Sequence, residues 1–71
     1  MKLILKENKY YPKVDIIINM IKEIEENSDV KIVFDNRIPN KYMLSINETI
    51  AIFTTYSDVI SALNLLKKVG E

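Results

Sequence analysis

Apolar residues recur with the period of an α-helix in the segment VDIIINMIKEIEEN, residues 14–27. One face of that helix would collect five of them: Val14, Ile17, Ile18, Ile21 and Ile24. Ile16 and Met20 widen the apolar face on one side. Pro12 suits the first turn of a helix, because the N–H that proline lacks would have no intrahelical partner there. The pattern predicts a helix that begins near Pro12 and ends near Asn27.

Four shorter stretches have the composition or the two-residue alternation of β-strands. They are MKLILK (1–6), VKIVFD (30–35), KYMLSI (41–46) and TIAIFTT (49–55). The segment NRIPN (36–40) predicts a turn, since Pro39 is unsuited to the interior of a strand. Asn47 tolerates a left-handed backbone, so the last two strands are expected to form a hairpin centred near Asn47 and Glu48.

The closing segment SDVISALNLLKKVG, residues 57–70, predicts a second helix. Ser57 suits the N-cap, Asp58 the positive N-terminus, Lys67 and Lys68 the C-terminus, and Gly70 the stop. The resulting order is β-α-β-β-β-α. It predicts a single α+β domain over residues 1–71: a small two-layer sandwich with an antiparallel-rich sheet of three to four strands and two helices on one face.

The closing helix is apolar over roughly 220° of its circumference, more than one sheet covers. Leu65 lies on one flank and Ile60 on the opposite one. If the two helices pack on each other, that contact buries one flank of each helix. We expect Ile60 and Ile16, on the other flanks, to stay exposed and to contact another protein. The predicted interface comprises Ile16, Val59, Ile60, Ala62, Leu63, Asn64 and Leu66.

Composition supports an interaction role over a catalytic one. The 71 residues are 48% hydrophobic, with one glycine and neither cysteine nor histidine. Without these two residue types the usual nucleophilic triads, thiolate chemistry and commonest zinc ligand are missing, and one glycine cannot build a Gly-rich phosphate loop. We therefore expect no enzyme activity and no cofactor. We also expect no metal, because Asp15 and Asn19, one turn apart, lack further ligands. A domain this small often needs an additional source of stability, which another chain can provide.

Ten basic residues balance ten acidic ones, which argues against binding nucleic acid through bulk charge. Candidates for a local nucleic-acid contact are Arg37, Lys41, Lys67 and Lys68, and those for base stacking are Tyr10, Tyr11, Tyr42 and Tyr56. Tyrosines at strand ends more often border a core. No apolar run approaches the length of a membrane span, and MKLILK is too short for a signal peptide, so we expect a cytoplasmic protein.

The segment YMLSINETIAIFTTYSDVISALNLLKKV, residues 42–69, resembles the small Pcc-type subunit of the KEOPS complex (the CTAG/Pcc family). The match lies in a strand, a short turn, a strand and a helix with the core Ala62-Leu63-Asn64; the upstream strand and helix also fit. Ile60 and Leu65 stand where the family usually has arginine and serine.

This resemblance implies a non-catalytic subunit that forms homodimers, or pairs with a paralogue, by joining sheets and packing helices. It also implies docking on an ATP-dependent transferase. The complex makes N6-threonylcarbamoyladenosine on tRNA, and the small subunit promotes assembly and supports tRNA binding.

Two alternatives stay open at this point. The segment IPNKYMLSI followed by a closing helix is similar to thioredoxin or glutaredoxin. That resemblance implies a cis peptide bond before Pro39 and, without redox cysteines, only a binding scaffold. The second alternative is a generic dimeric α+β protein-interaction module.

Overall fold

The structure, a computed structural model, describes residues 2–6 and 12–69. Its elements are β1 (Lys2–Ile4), α1 (Pro12–Asn27), β2 (Ile32–Ile38), β3 (Lys41–Ile46), β4 (Thr49–Phe53) and α2 (Tyr56–Val69). The strands form one sheet in the order β1-β2-β3-β4, with β1 parallel to β2 and the other neighbours antiparallel. The predicted α+β fold, its element order and its antiparallel-rich sheet are confirmed.

Helix α1 is the crossover that the parallel pairing of β1 and β2 requires. All five residues of its predicted apolar face are buried, and Met20 packs at the edge of the core. The bounds Pro12–Asn27 match the predicted ones. The helical period and Pro12 were therefore enough to locate this element, because its apolar face is continuous and is buried along its length.

The core lies between the two helices and one face of the sheet. Its widest row crosses all four strands, where Leu3, Phe34, Leu44 and Ala51 are register partners. Phe34 and Leu44 are fully buried against side chains from both helices. Since side chains alternate along a strand, the opposite face carries the intervening residues, among them Val33, Met43, Ile50 and Ile52. Both helices cover one face, and the other face is open.

Strand β2 differs from its predicted extent. It begins at Ile32 and continues through Ile38, so only Pro39 and Asn40 form the turn before β3. The pairing with β3 shifts register between Asp35 and Ile38, as at a β-bulge. Asn36, within this polar part of the strand, is buried, and its side chain is hydrogen-bonded to Lys6 and Tyr56. These partners are distant in sequence, so a local pattern does not reveal them.

The hairpin between β3 and β4 is confirmed at Asn47 and Glu48. Both residues have positive φ, 48° and 74°, as expected for a two-residue turn that matches strand twist. The Asn47 side-chain oxygen accepts a hydrogen bond of 2.9 Å from the Lys31 N–H, and the Asn47 N–H donates to the Lys31 carbonyl. The turn is thereby tied to the residue that precedes β2.

Helix α2 begins at Tyr56, and its N-cap is Thr55 rather than the predicted Ser57. The Thr55 hydroxyl accepts a hydrogen bond of 3.1 Å from the Asp58 N–H, the geometry of an N-cap. Asp58, Lys67 and Lys68 lie in the first and last turns as predicted. The predicted stop at Gly70 and the tyrosines Tyr10 and Tyr11 lie outside the described residues.

The thioredoxin-like alternative is wrong on the feature that defined it. Pro39 lies exposed in the turn between β2 and β3, and its peptide bond is trans. It therefore precedes a simple β-hairpin and does not begin a strand of the central sheet.

Candidate interaction surface

Two residues of the predicted interface belong to the chain's own core. Val59 and Leu63 have no exposed surface and pack with Phe34 and Leu44. The prediction that they contact another protein is therefore corrected, because their side chains are already covered within the chain. Leu66 is half-buried against the same core, and Ala62 is half-buried on the adjacent side of α2.

The two flanks of α2 have the opposite roles from those expected. Ile60 packs against the core, whereas Leu65 is 65% exposed. The flank bearing Ile60 faces α1, where the Lys67 ammonium lies 2.9 Å from the Glu23 carboxylate. Leu65 lies about 200° from Lys67 around the helix, hence on the flank away from α1. Ile60 is therefore partly covered within the chain, and Leu65 is the flank residue that remains exposed.

Exposed apolar side chains gather at one edge of the described structure. Among residues 2–6 and 12–69, five large hydrophobic side chains are exposed: Ile16 (48%), Ile38 (50%), Ile50 (65%), Ile52 (61%) and Leu65 (65%). The three most exposed border the free edge of β4. Ile50 and Ile52 lie on its open face, and Leu65 is on the α2 flank away from α1; α2 packs over β3 and β4. We call Ile50, Ile52 and Leu65 the β4-edge surface.

The backbone of β4 adds directional groups to this surface. In a two-residue hairpin, the two residues that flank the turn exchange both backbone hydrogen bonds; here they are Ile46 and Thr49. Along an antiparallel ladder, hydrogen-bonded pairs alternate with non-hydrogen-bonded pairs. Thr49, Ala51 and Phe53 therefore bond to β3. The N–H and C=O groups of Ile50 and Ile52 point outward from the sheet, where they can accept another strand.

This edge lacks the usual protection. The segment from Thr49 to Tyr56 contains no charged residue and no proline, the devices that commonly keep edge strands from pairing with other chains. The opposite edge, β1, is only three residues long and begins at Lys2. Of the two edges, β4 is the one suited to strand addition.

The remaining predicted residues lie elsewhere on the molecule. Ile16 and Asn64 are exposed on the helical layer. Arg37 and Lys41 lie near the turn between β2 and β3. Lys67 and Lys68 are at the far end of α2, about 17 Å along the helix from its start beside Tyr42. The four basic residues thus form two separate pairs. Arg37 and Lys67 are each in an ion pair with a carboxylate of this chain.

A shallow cleft of about 290 Å³ at the end of the sheet is lined in part by Asn36, Tyr42 and Tyr56. The rings of the two tyrosines stack with centroids 4.2 Å apart, and burial raises the pKa of Tyr42. The Asn36 amide accepts from the Lys6 N–H and donates to the Tyr56 hydroxyl. These hydrogen bonds join β2 to the segment that follows β1 and to the start of α2. Tyr42 and Tyr56 pack against the core. This agrees with the expectation that tyrosines at strand ends border a core.

Sequence reasoning missed Ile50 and Ile52 because it looked for excess apolar surface only on the helices. A signal was present in TIAIF, which is apolar on both faces of a strand. In a fold with both helices on one face, one of these two faces has to lie open.

No group of three or more acidic, histidine or cysteine side chains within the described ranges is arranged to hold a metal ion. Neither α1 nor α2 has the length and apolar character needed to cross a bilayer. Comparisons with family models, with curated proteins and with solved structures found no match for this chain.

Proposed function

We propose that this protein is a non-catalytic assembly domain that acts by binding another protein chain at the β4-edge surface. The observation that carries the proposal is the convergence of Ile50, Ile52 and Leu65 on one free, uncharged strand edge. Scattered single hydrophobic residues are normal on protein surfaces, but exposed apolar residues that border one strand edge on both faces of the sheet, beside unpaired backbone groups, are typical of an interaction site.

Burial on association would stabilise a small domain. Covering one exposed isoleucine or leucine fully contributes about 1.5–3 kcal/mol, a large share of the stability expected for a chain of this size. The open face also carries two half-buried apolar residues, Met43 directly beside Ile52 and Val33 on β2. A partner at the β4 edge would extend this apolar row without uncovering the core.

A matched pair of isoleucine variants tests the proposal. Ile52→Lys places a charge on the β4 edge, whereas Ile38→Lys places one at a comparably exposed position on β2. Protein partners recovered with the wild-type chain from its native cell should be lost with Ile52→Lys and retained with Ile38→Lys. Equal recovery with the two variants, in chains whose circular dichroism is unchanged, would contradict the proposal.

The more specific form of the proposal is a role like that of the KEOPS small subunit, in the cytoplasm. Its support is the resemblance over residues 42–69 together with a fold whose helices cover one face of the sheet. In this role the β4 edge pairs small subunits, and the exposed helical layer with Ile16 and Asn64 docks on the transferase subunit.

Co-expression with the KEOPS transferase subunit tests this form separately. The two proteins should co-purify, and Ile16→Asp should abolish the complex, because it charges an apolar position on the helical layer. Ile38→Asp is the control, since Ile38 is exposed to the same degree but lies at the end of β2. If the transferase subunit does not co-purify with the wild-type chain, the KEOPS-like role is excluded and the general interaction role is unaffected.

In the KEOPS-like role, Lys67 and Lys68 at the end of α2 and Arg37 and Lys41 near the β2–β3 turn are the proposed tRNA contacts. A phosphate contact by one lysine predicts binding that weakens with added salt and with charge reversal. Lys68→Glu is the sharper variant, because Lys67 also pairs with Glu23 and its reversal would disturb the contact between the helices.

A further inference from the structure

We infer that the partner at the β4-edge surface is a second copy of this chain, paired antiparallel through β4 with the twofold axis at Ala51. This inference rests on the proposed function and specifies the occupant of the same site. It would join two four-stranded sheets into one of eight strands, with all four helices on one face.

The register follows from the direction of the backbone groups. Residues whose N–H and C=O point outward, Ile50 and Ile52, have to meet residues of the same kind. With the axis at Ala51, Ile50 lies opposite Ile52 of the second copy, and Ile52 lies opposite its Ile50. Each pair exchanges two backbone hydrogen bonds, which gives four in total and pairs the strand over its full length, Thr49–Phe53.

Side-chain sizes agree with this register. Ala51 meets Ala51 of the second copy as a non-hydrogen-bonded pair, in which the Cα atoms approach to about 4.5 Å. A small residue suits that close approach beneath the helices. On the open face, the four isoleucines contributed by the two copies form a two-by-two cluster, with Met43 beside each Ile52 and Ser45 beside each Ile50. No charged residue faces a like charge along the paired segment.

The helices provide the argument for a second copy over an unrelated strand. Each helical layer spans the sheet, with α2 over β3 and β4. Pairing the two β4 strands places the two α2 helices about two strand spacings apart, or about 10 Å, the distance at which helices pack. The flank that meets the other α2 is the one that bears Leu65. A lone strand added to β4 would cover the isoleucines and leave Leu65 exposed.

The turn adds charge complementarity. In this register Glu48 lies opposite Thr54 of the second copy, beside the N-terminus of that copy's α2, which begins at Tyr56. A carboxylate is favourable near the positive end of a helix. By symmetry the contact occurs twice.

The test combines the mass of the chain in solution with cysteine cross-linking. Light scattering during size-exclusion chromatography at micromolar concentration should give twice the 8.3 kDa of the chain. Ile52→Lys should give the monomer mass, and Ile38→Lys should keep the dimer. A monomeric wild-type chain, or a dimer that is insensitive to Ile52→Lys, would overturn the inference.

Since the native chain has no cysteine, single substitutions report the register directly. Ala51→Cys should form an intermolecular disulfide, because Cα atoms about 4.5 Å apart fall within the range that a disulfide spans. Ile50→Cys or Ile52→Cys alone should not, but a mixture of these two variants should, since those positions are directly opposite. Lys22→Cys, exposed on α1, controls for random collision. Linkage of Ile50→Cys to itself in place of Ala51→Cys would overturn the register.

The outcomes also separate this inference from the proposed function. A monomeric wild-type chain whose protein partner is lost with Ile52→Lys and retained with Ile38→Lys would exclude the second copy and keep the interaction role. A monomeric wild-type chain whose partner is retained by both variants would exclude both.

Discussion

The guanidinium of Arg37 binds the carboxylate of Asp35 in a two-pronged contact. Nη2 lies 3.0 Å from Oδ2, and Nε lies 3.2 Å from Oδ1, which also accepts the Arg37 backbone N–H. The register places Asp35 between Ile4 and Met43 on the open face of the sheet. A buried carboxylate among apolar neighbours is expensive unless it is paired, and Arg37 supplies that pairing beside the β2 bulge.

The pairing predicts a defined pH dependence. The side-chain hydrogen bond from Arg37 holds the pKa of Asp35 below its ordinary value of 3.8. A carboxyl group whose pKa is lowered by folding contributes stability that is complete above the unfolded pKa and is lost as pH falls through the folded one. Arg37→Ala should therefore raise the pKa of Asp35 and lower stability at neutral pH, with the difference from wild type vanishing in strong acid.

Carboxyl titration by NMR and urea unfolding at several pH values would measure these two effects. Lys41→Ala is the control, because Lys41 is an exposed cation in the neighbouring strand. An Asp35 pKa that is the same in Arg37→Ala and in the wild-type chain would show that the contact does not persist in solution.

Asn36 joins β2 to the segment after β1 and to α2, and it should be sensitive to substitution. Its Oδ1 accepts from the Lys6 N–H at 2.8 Å, and its Nδ2 donates to the Tyr56 hydroxyl at 3.3 Å. Asn36→Leu leaves both of those groups without their partner, which costs about 1–3 kcal/mol. Tyr56→Phe removes the longer of these two bonds and keeps the shorter one, so it should cost less, about 0.5–1.5 kcal/mol. Urea unfolding in the Ile52→Lys background measures both without a contribution from self-association; the reverse ranking would contradict this account.

Thr55 and Ser57 test where helix α2 begins. Thr55→Ala removes the hydroxyl that accepts the Asp58 N–H and should cost about 1 kcal/mol. Ser57→Ala, in the first turn of the helix and exposed, should change stability by less than about 0.5 kcal/mol. Thermal unfolding of the two variants distinguishes them, and a larger loss with Ser57→Ala would restore the N-cap that the sequence had indicated.

The contrast between Thr55 and Ser57 shows the limit of local patterns. Helix α1 and the hairpin at Asn47 and Glu48 were predictable, because a helical period and a left-handed turn residue are properties of a few neighbouring positions. Thr55 and Ser57 both suit an N-cap by residue type, and only the path of the chain out of β4 decides which of them begins the helix. Propensity locates an element better than it locates its ends.

The interaction surface depended on relations that no short segment contains. Ile60 and Leu65 are both apolar flanks of α2, and which one is covered depends on the side of α2 at which α1 lies. That side follows from the strand order β1-β2-β3-β4, which the sequence left open. Asn36, in the part of β2 that was predicted as a turn, likewise bonds to Tyr56, 20 residues away.

The turn at Asn47 and Glu48 allows a stabilising substitution. Glu48 has φ of 74°, where a side chain is unfavourable, so Glu48→Gly relieves that strain while increasing the freedom of the unfolded chain. The net gain should be about 0.5–1 kcal/mol, which in a domain of this size raises the melting temperature by several degrees. Asn47→Gly is the matched control: φ is also positive there, but the substitution removes the 2.9 Å bond to the Lys31 N–H and should give no gain. Thermal unfolding in the Ile52→Lys background keeps the proposed pairing of Glu48 with a second copy out of the comparison. A melting temperature that falls with Glu48→Gly would mean that the Glu48 side chain stabilises the monomer more than its backbone conformation costs.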